Sequence, residues 1–153
     1  MFQTGAAVLA DVNSTGYKIV LFLHIAVAVV AFAPAFMTFL LSRAAAAGDP
    51  GAGAVLAAGV QRLTFPAMAA TGVLGFGLVG MSGKEYTFSQ SWVSTAGVVW
   101  LALIAVTLLI TRPAARALAA GSAEAGKKVM MGTGLTHALF VIAILLMVFK
   151  PGS

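Results

Sequence analysis

Residues 19–41 read IVLFLHIAVAVVAFAPAFMTFLL, an apolar run broken only by His24, Pro34 and Thr38. An α-helix rises 1.5 Å per residue, so crossing a hydrocarbon core of about 30 Å takes roughly 20 apolar residues. This run has 23. It is far longer than a barrel strand and shows no period-2 alternation. Lipid offers no partner to a free backbone N–H or C=O, so helix is the state expected.

Working outward, three more stretches have the same character: 63–81, 92–110 and 129–149. With their flanks the expected spans are 18–42, 54–81, 92–111 and 129–149. The fold class expected is all-α: a polytopic membrane protein in which four transmembrane helices form one antiparallel bundle, a single transmembrane domain over 1–153. Composition agrees. Hydrophobic residues are 61 % of the chain and charged residues 8 %, against about 25 % charged in ordinary soluble domains. Mean hydropathy is +1.04. A soluble chain this small cannot hide so much apolar surface. A soluble globular domain, a disordered chain and a nucleic-acid binder are therefore excluded. Cysteine is absent, which removes disulfides, thiolate metal sites and haem attached through Cys-x-x-Cys-His.

Punctuation between the runs is clear. Gly48-Asp49-Pro50-Gly51 is a turn signal, and Arg112-Pro113 opens the third connection. Pro66 is expected to kink the second helix. Residues 53–60 read as a helical lead-in to it, and 114–125 as a short interfacial helix. Asn13-Ser14-Thr15 matches a glycosylation sequon, but capping of the first helix is the reading preferred. Residues 1–17 carry no Lys or Arg and include Asp11, so no signal peptide is expected and the first span stays in the bilayer.

The net charge of +5 and pI near 10.1 fit loops that face an anionic leaflet. Arg43, Arg62, Arg112, Arg116, Lys127 and Lys128 fall on one side, and Lys18, Lys84 and Lys150 on the other. Six against three puts both longer loops in the cytoplasm and both termini outside. The location expected is a bacterial-type inner membrane. Tyr17, Tyr86 and Trp92 then lie at the outer interface, while the deeper Trp100 requires a packing partner. The partners expected are the lipid bilayer and a homo-oligomer or larger membrane complex, with no nucleic acid.

Helices associate in lipid where small residues let backbones approach. In the first span His24, Ala28, Ala31, Ala35, Thr38 and Ser42 form one small and polar face. Leu21, Phe22, Val29, Phe32, Phe36 and Phe39 are left for lipid. Gly72-x-x-Gly75-x-Gly77 lies mid-helix, so it reads as a close-packing surface and not as a phosphate loop, which would follow a strand. In the last span Gly134 and Ala138 have small-x-x-x-small spacing.

The four runs contain no Asp or Glu, which argues against ion-coupled transport. The ionisable groups within them are His24 and His137. Counting residues from the helix ends puts His24 about 10 Å below the outer side and His137 about 13 Å above the inner side. In a core of about 30 Å the levels then differ by about 6 Å. Both imidazoles would face one ligand between helices 1 and 4. Two imidazoles suit haem b or, as second choice, copper completed by Met. Met68 and Met81 are candidate soft partners, and Lys18 and Lys84 candidate partners for propionates. The competing reading is that each imidazole bonds a hydroxyl or a carbonyl and joins helices.

Lys18 followed by Leu23-His24-Ile25 resembles the opening Leu-His helix of HemJ-type and CopD-type membrane proteins. Arg62, Pro66 and Gly72 resemble the start of their second helix. The third helix, entered at Trp92 and left at Arg112-Pro113, is similar to that of a related family of uncharacterised four-helix integral membrane proteins. Val148-Phe149-Lys150-Pro151 resembles the terminal Val-Lys-Pro of HemJ-type proteins. The resemblance implies His24 as a haem ligand with Arg62 as its polar partner, and a link to protoporphyrinogen oxidation or copper movement. It departs where Phe32, Ala33 and Ala35 surround Pro34 in place of a Trp-x-x-Gly stretch, and where Gly134-Leu135-Thr136 replaces an acidic residue. Three functions follow. One is a haem- or metal-binding membrane protein of redox or porphyrin metabolism. The second is a non-catalytic integral subunit or scaffold of a membrane complex, for instance a respiratory one. The third is a small-molecule or metal permease.

Overall fold

In a computed structural model, which describes residues 11–152, the chain is all-helical and contains four helices long and apolar enough to cross a membrane. They are α1 (Thr15–Ala46), α2 (Pro50–Met81), α3 (Ser91–Ala119) and α4 (Ala125–Phe149). The uncleaved N-terminal stretch expected from the sequence lies, over residues 1–10, outside the described residues. Each helix runs past the expected span, because the small residues flanking the apolar runs also favour helix. This continuation is clearest at the end of α1, which includes Ala44, Ala45 and Ala46.

The ends are set by the punctuation. Ser14 caps α1, its Oγ accepting from the Tyr17 N–H at 3.2 Å. Beyond Ala46, Gly48 takes a left-handed φ of 99°, open to a residue without Cβ. Asp49 then caps α2, its Oδ1 accepting from Gly51 N at 2.8 Å and Ala52 N at 3.1 Å, with Pro50 at the first helical position. α4 stops at Lys150, which precedes a proline and is left-handed at φ 43°; a following proline disfavours the helical region.

α1 packs along both α2 and α4, and α3 packs along α4 and, less extensively, α2. The small face of α1 is buried as expected: His24, Ala31, Thr38 and Ser42 are all inside. Phe32 corrects the expectation of a lipid-facing side chain. It is 4 % exposed and stacks on Phe140 with ring centroids 3.6 Å apart, because it borders the seam between α1 and α4. Of the α2 glycines expected to pack closely, Gly72 and Gly75 do, whereas Gly77 has open space at its Cβ position. A Cβ on Gly72 would collide with the Trp100 indole. Trp100 thereby finds its partner, and its Nε1 donates to Met68 O at 3.0 Å.

Two helices change register part-way. Val60–Thr64 in α2 and Thr107–Thr111 in α3 are π turns. The Phe65 N–H bonds to Val60 O and the Arg112 N–H to Thr107 O. The cause is local and the same in both. Thr64-Phe65-Pro66-Ala67 and Thr111-Arg112-Pro113-Ala114 share Thr-x-Pro-Ala. Proline has no N–H, and its ring clashes with the carbonyl four residues back; one extra residue in the turn relieves the clash. The expectation that Arg112-Pro113 ends the third helix is corrected here. The π turn carries α3 past the proline to Ala119.

Candidate functional site

His24 lies on the face of α1 that meets α2 and is 7 % exposed. Its Nδ1 is 2.9 Å from Thr71 O. A carbonyl only accepts, so the proton is on Nδ1 and the lone pair on Nε2. One turn along α2, a Cβ on Gly75 would stand 3.2 Å from His24 Cε1. Glycine is what lets the imidazole lie against the α2 backbone.

His137 is half-buried. Its Nδ1–H donates within its own helix, to Thr133 O at 2.9 Å. The ring meets Phe36 edge-on, centroids 5.4 Å apart, and Phe36 is 70 % exposed. His137 therefore borders the outer edge of the α1–α4 seam. Arg62 is exposed within the π turn of α2. It lies nine residues before Thr71, or about 13 Å along the axis, and does not partner His24.

The structure does not bring the two histidines together. Phe36, the neighbour of His137, is twelve residues beyond His24 on α1, about 18 Å along the helix. Two imidazoles on one metal ion need nitrogens about 4 Å apart, twice a metal–imidazole bond of about 2 Å. The expected 6 Å offset assumes that depth aligns the helices. Contacts align them instead: Phe32 on Phe140, and Ser42 Oγ on Met130 Sδ at 3.2 Å. That register puts His24 level with the C-terminal end of α4. The Phe32–Phe140 stack fills the seam between the two levels. These residues do not fit a haem or metal held jointly by His24 and His137. Among the described residues no group of three His, Asp or Glu converges on a metal position. Met68 is a core side chain, 1 % exposed, whose Sδ accepts from Thr107 Oγ1 at 3.5 Å. Lys18 and Lys84 are exposed.

Thr38 is expected on the small face of α1, but a convergence of threonines from all four helices is not. Thr38, Thr64, Thr107, Thr111, Thr133 and Thr136 come from all four helices and line one cavity in the half of the bundle nearer the α1–α2 and α3–α4 connections. The paired Thr-x-Pro-Ala segments were the available signal, since each delivers a π turn and a threonine to that wall. No family model, curated protein or solved structure matches the chain.

Proposed function

We propose that this protein is a non-catalytic integral subunit or scaffold of a membrane complex. The observation that carries this reading is the His24 Nδ1–H bond to Thr71 O. It uses the most buried ionisable side chain of the spans to tie α1 to α2. Interhelical bonds of this kind join helices where lipid supplies no hydrophobic drive. Gly134 and Ala138 support a partner helix or a second copy, because both are accessible on α4 and Gly134 has open space at its Cβ position. The basic bias of six to three supports a bacterial-type inner membrane with both termini extracytoplasmic. A reporter fused after Ser153 is then active only if it works outside the cytoplasm.

A second reading keeps haem b or copper, with the HemJ-type and CopD-type kinship, at His24 alone. It is favoured by one observation: Nδ1–H is fixed by a carbonyl, which leaves Nε2 unbonded, the orientation that metal-ligating histidines adopt.

The test is the absorption spectrum of purified protein expressed with ample iron and haem, with His24→Ala, His137→Ala and the double variant. The scaffold reading expects no reducible Soret and α-band, and thermal losses that add. A stoichiometric haem lost in His24→Ala and kept in His137→Ala overturns it in favour of the second reading.

A further inference from the structure

The cavity lined by the six threonines has a volume of about 340 Å³, at the small end of the roughly 300–1,000 Å³ of small-molecule sites. No charged side chain lines it. Its rim includes Met37 on α1 and Val55 and Leu63 on α2, all exposed on the apolar surface. The opening therefore faces lipid between α1 and α2. Both π turns form part of its wall, and such turns recur at functional sites.

The hydroxyls divide into two groups. Four spend their protons inside the bundle: Thr38 on Pro34 O, Thr136 on Gly132 O and Thr111 on Val106 O within their own helices, and Thr107 on Met68 Sδ of α2, at 2.9 to 3.5 Å. Thr64 and Thr133 make no side-chain hydrogen bond among the described residues, although they are only 9 % and 8 % exposed. Neither oxygen is sealed off, since Trp92 Nε1 is the fully enclosed polar side-chain atom without a partner there. Both residues line the cavity. A buried donor without an acceptor is costly, and costlier still in hydrocarbon. A helix-interior threonine ordinarily bonds the carbonyl a turn behind it. These two keep their protons available.

We propose that the cavity binds a neutral, lipid-soluble molecule whose polar group is a carbonyl oxygen, entering between α1 and α2 and held through the Thr64 and Thr133 hydroxyls. Donors select an acceptor, the absence of charge on the wall selects a neutral compound, and the apolar rim selects one that partitions into the bilayer. A single water would leave most of the space unfilled, because its share of liquid volume is about 30 Å³. Thr64 and Thr111 stand close to Arg62 and Arg112 in sequence, at the arginine-marked inner level. A carbonyl at that depth comes either from the ester of a bilayer lipid or from a free carbonyl compound.

Benzophenone, a neutral aromatic ketone that crosslinks on illumination, is the probe. The full chain is labelled in discs of ether-linked phospholipid, which carry no ester carbonyl, and in discs of the ester-linked counterpart. Peptide mass spectrometry is expected to find saturable labelling concentrated at Met37, Leu41 and Val55. Thr64→Val with Thr133→Val lowers it about fivefold, the equivalent of one neutral hydrogen bond of about 1 kcal/mol. Gly59 lines the cavity with open space at its Cβ position, so Gly59→Leu fills it and abolishes the labelling. That variant decides the matter if the threonine pair fails to fold. Higher labelling in ether than in ester lipid identifies the lipid ester as the resident carbonyl, and equal labelling a free compound. Labelling spread over Phe22, Val29, Val73 and Leu109 in proportion to their exposure, and unchanged by both variants, overturns the proposal.

Discussion

The half of this bundle at the chain termini and the half at the α1–α2 and α3–α4 connections, outer and inner in the expected orientation, solve the same packing problem in different ways. In the outer half side chains are removed so that large ones can lie on bare backbone. Trp100 rests on Gly72 and His24 on Gly75. The helix ends are closed by Lys150, whose Nζ bonds Tyr86 Oη at 2.6 Å and stands over the Tyr86 and Trp92 rings. In the inner half close seams persist, with a Cβ on Gly53 standing 3.0 Å from the Ala119 backbone and one on Gly132 colliding with Thr111, but a cavity lies beside them. Two prolines force π turns, and threonines line the space that results. The difference teaches that glycine and proline, both poor helix formers, have separate uses in a membrane helix. Glycine closes a seam, whereas proline changes a helix's register and opens room behind it.

Substitutions break this comparison in a definite order. Trp100→Ala, in the outer half, is expected to cost the most, about 3–5 kcal/mol for loss of a large packed aromatic, read as the SDS or thermal unfolding midpoint in detergent. Gly72→Ala follows at about 1–3 kcal/mol, because the indole must leave its seat. His24→Leu keeps the volume and removes the bond to Thr71 O. Its cost is about 0.6 kcal/mol, the average for such bonds between membrane helices. Gly59→Ala, in the inner half, is expected to raise the midpoint slightly, since it adds up to about 1 kcal/mol of helix propensity and meets no neighbour. Phe36→Leu, on the lipid side, is expected to be silent. Equal costs for Gly72→Ala and Gly59→Ala would erase the distinction between the halves.

Much of the fold was legible because hydropathy in lipid is a strong constraint. The apolar runs gave four helices, and Gly48-Asp49-Pro50 gave the first turn. Gly72 and Gly75 of α2 announced a close-packed seam, though Gly77 does not join it, and the small face of α1 announced what lies inside. Four things were not legible. The period of the small residues placed Phe32 outside, yet a neighbouring helix covers it. Pro113 looked like a helix end because a proline is compatible with two outcomes, a stop or a π turn, and only the residues it packs against choose. The histidine levels failed for a third reason. Counting from a helix end presumes that the ends are level, but α1 and α4 are registered by Phe32 against Phe140 and Ser42 against Met130. The threonine cavity was invisible for a related reason: each threonine is unremarkable on its own helix, and only four helices together make the wall.

The length of α1 has a consequence for the forces that hold the molecule. Its 32 residues extend about 48 Å, and even a tilt of 40°, the top of the ordinary range, leaves about 37 Å along the bilayer normal. Part of the bundle therefore stands outside a hydrocarbon core of about 30 Å. Most of the basic residues gather at the end with the α1–α2 and α3–α4 connections, where Leu56, Ala115, Leu118 and Val129 form their own buried cluster. Apolar contacts there are made against water, so they draw on the hydrophobic effect and carry its heat-capacity signature. Contacts deeper in the bundle exchange helix for lipid and carry almost none. Calorimetric melting in discs is then expected to attribute the heat-capacity change chiefly to this inner cluster, and Leu118→Ala to reduce it where Ala31→Gly does not.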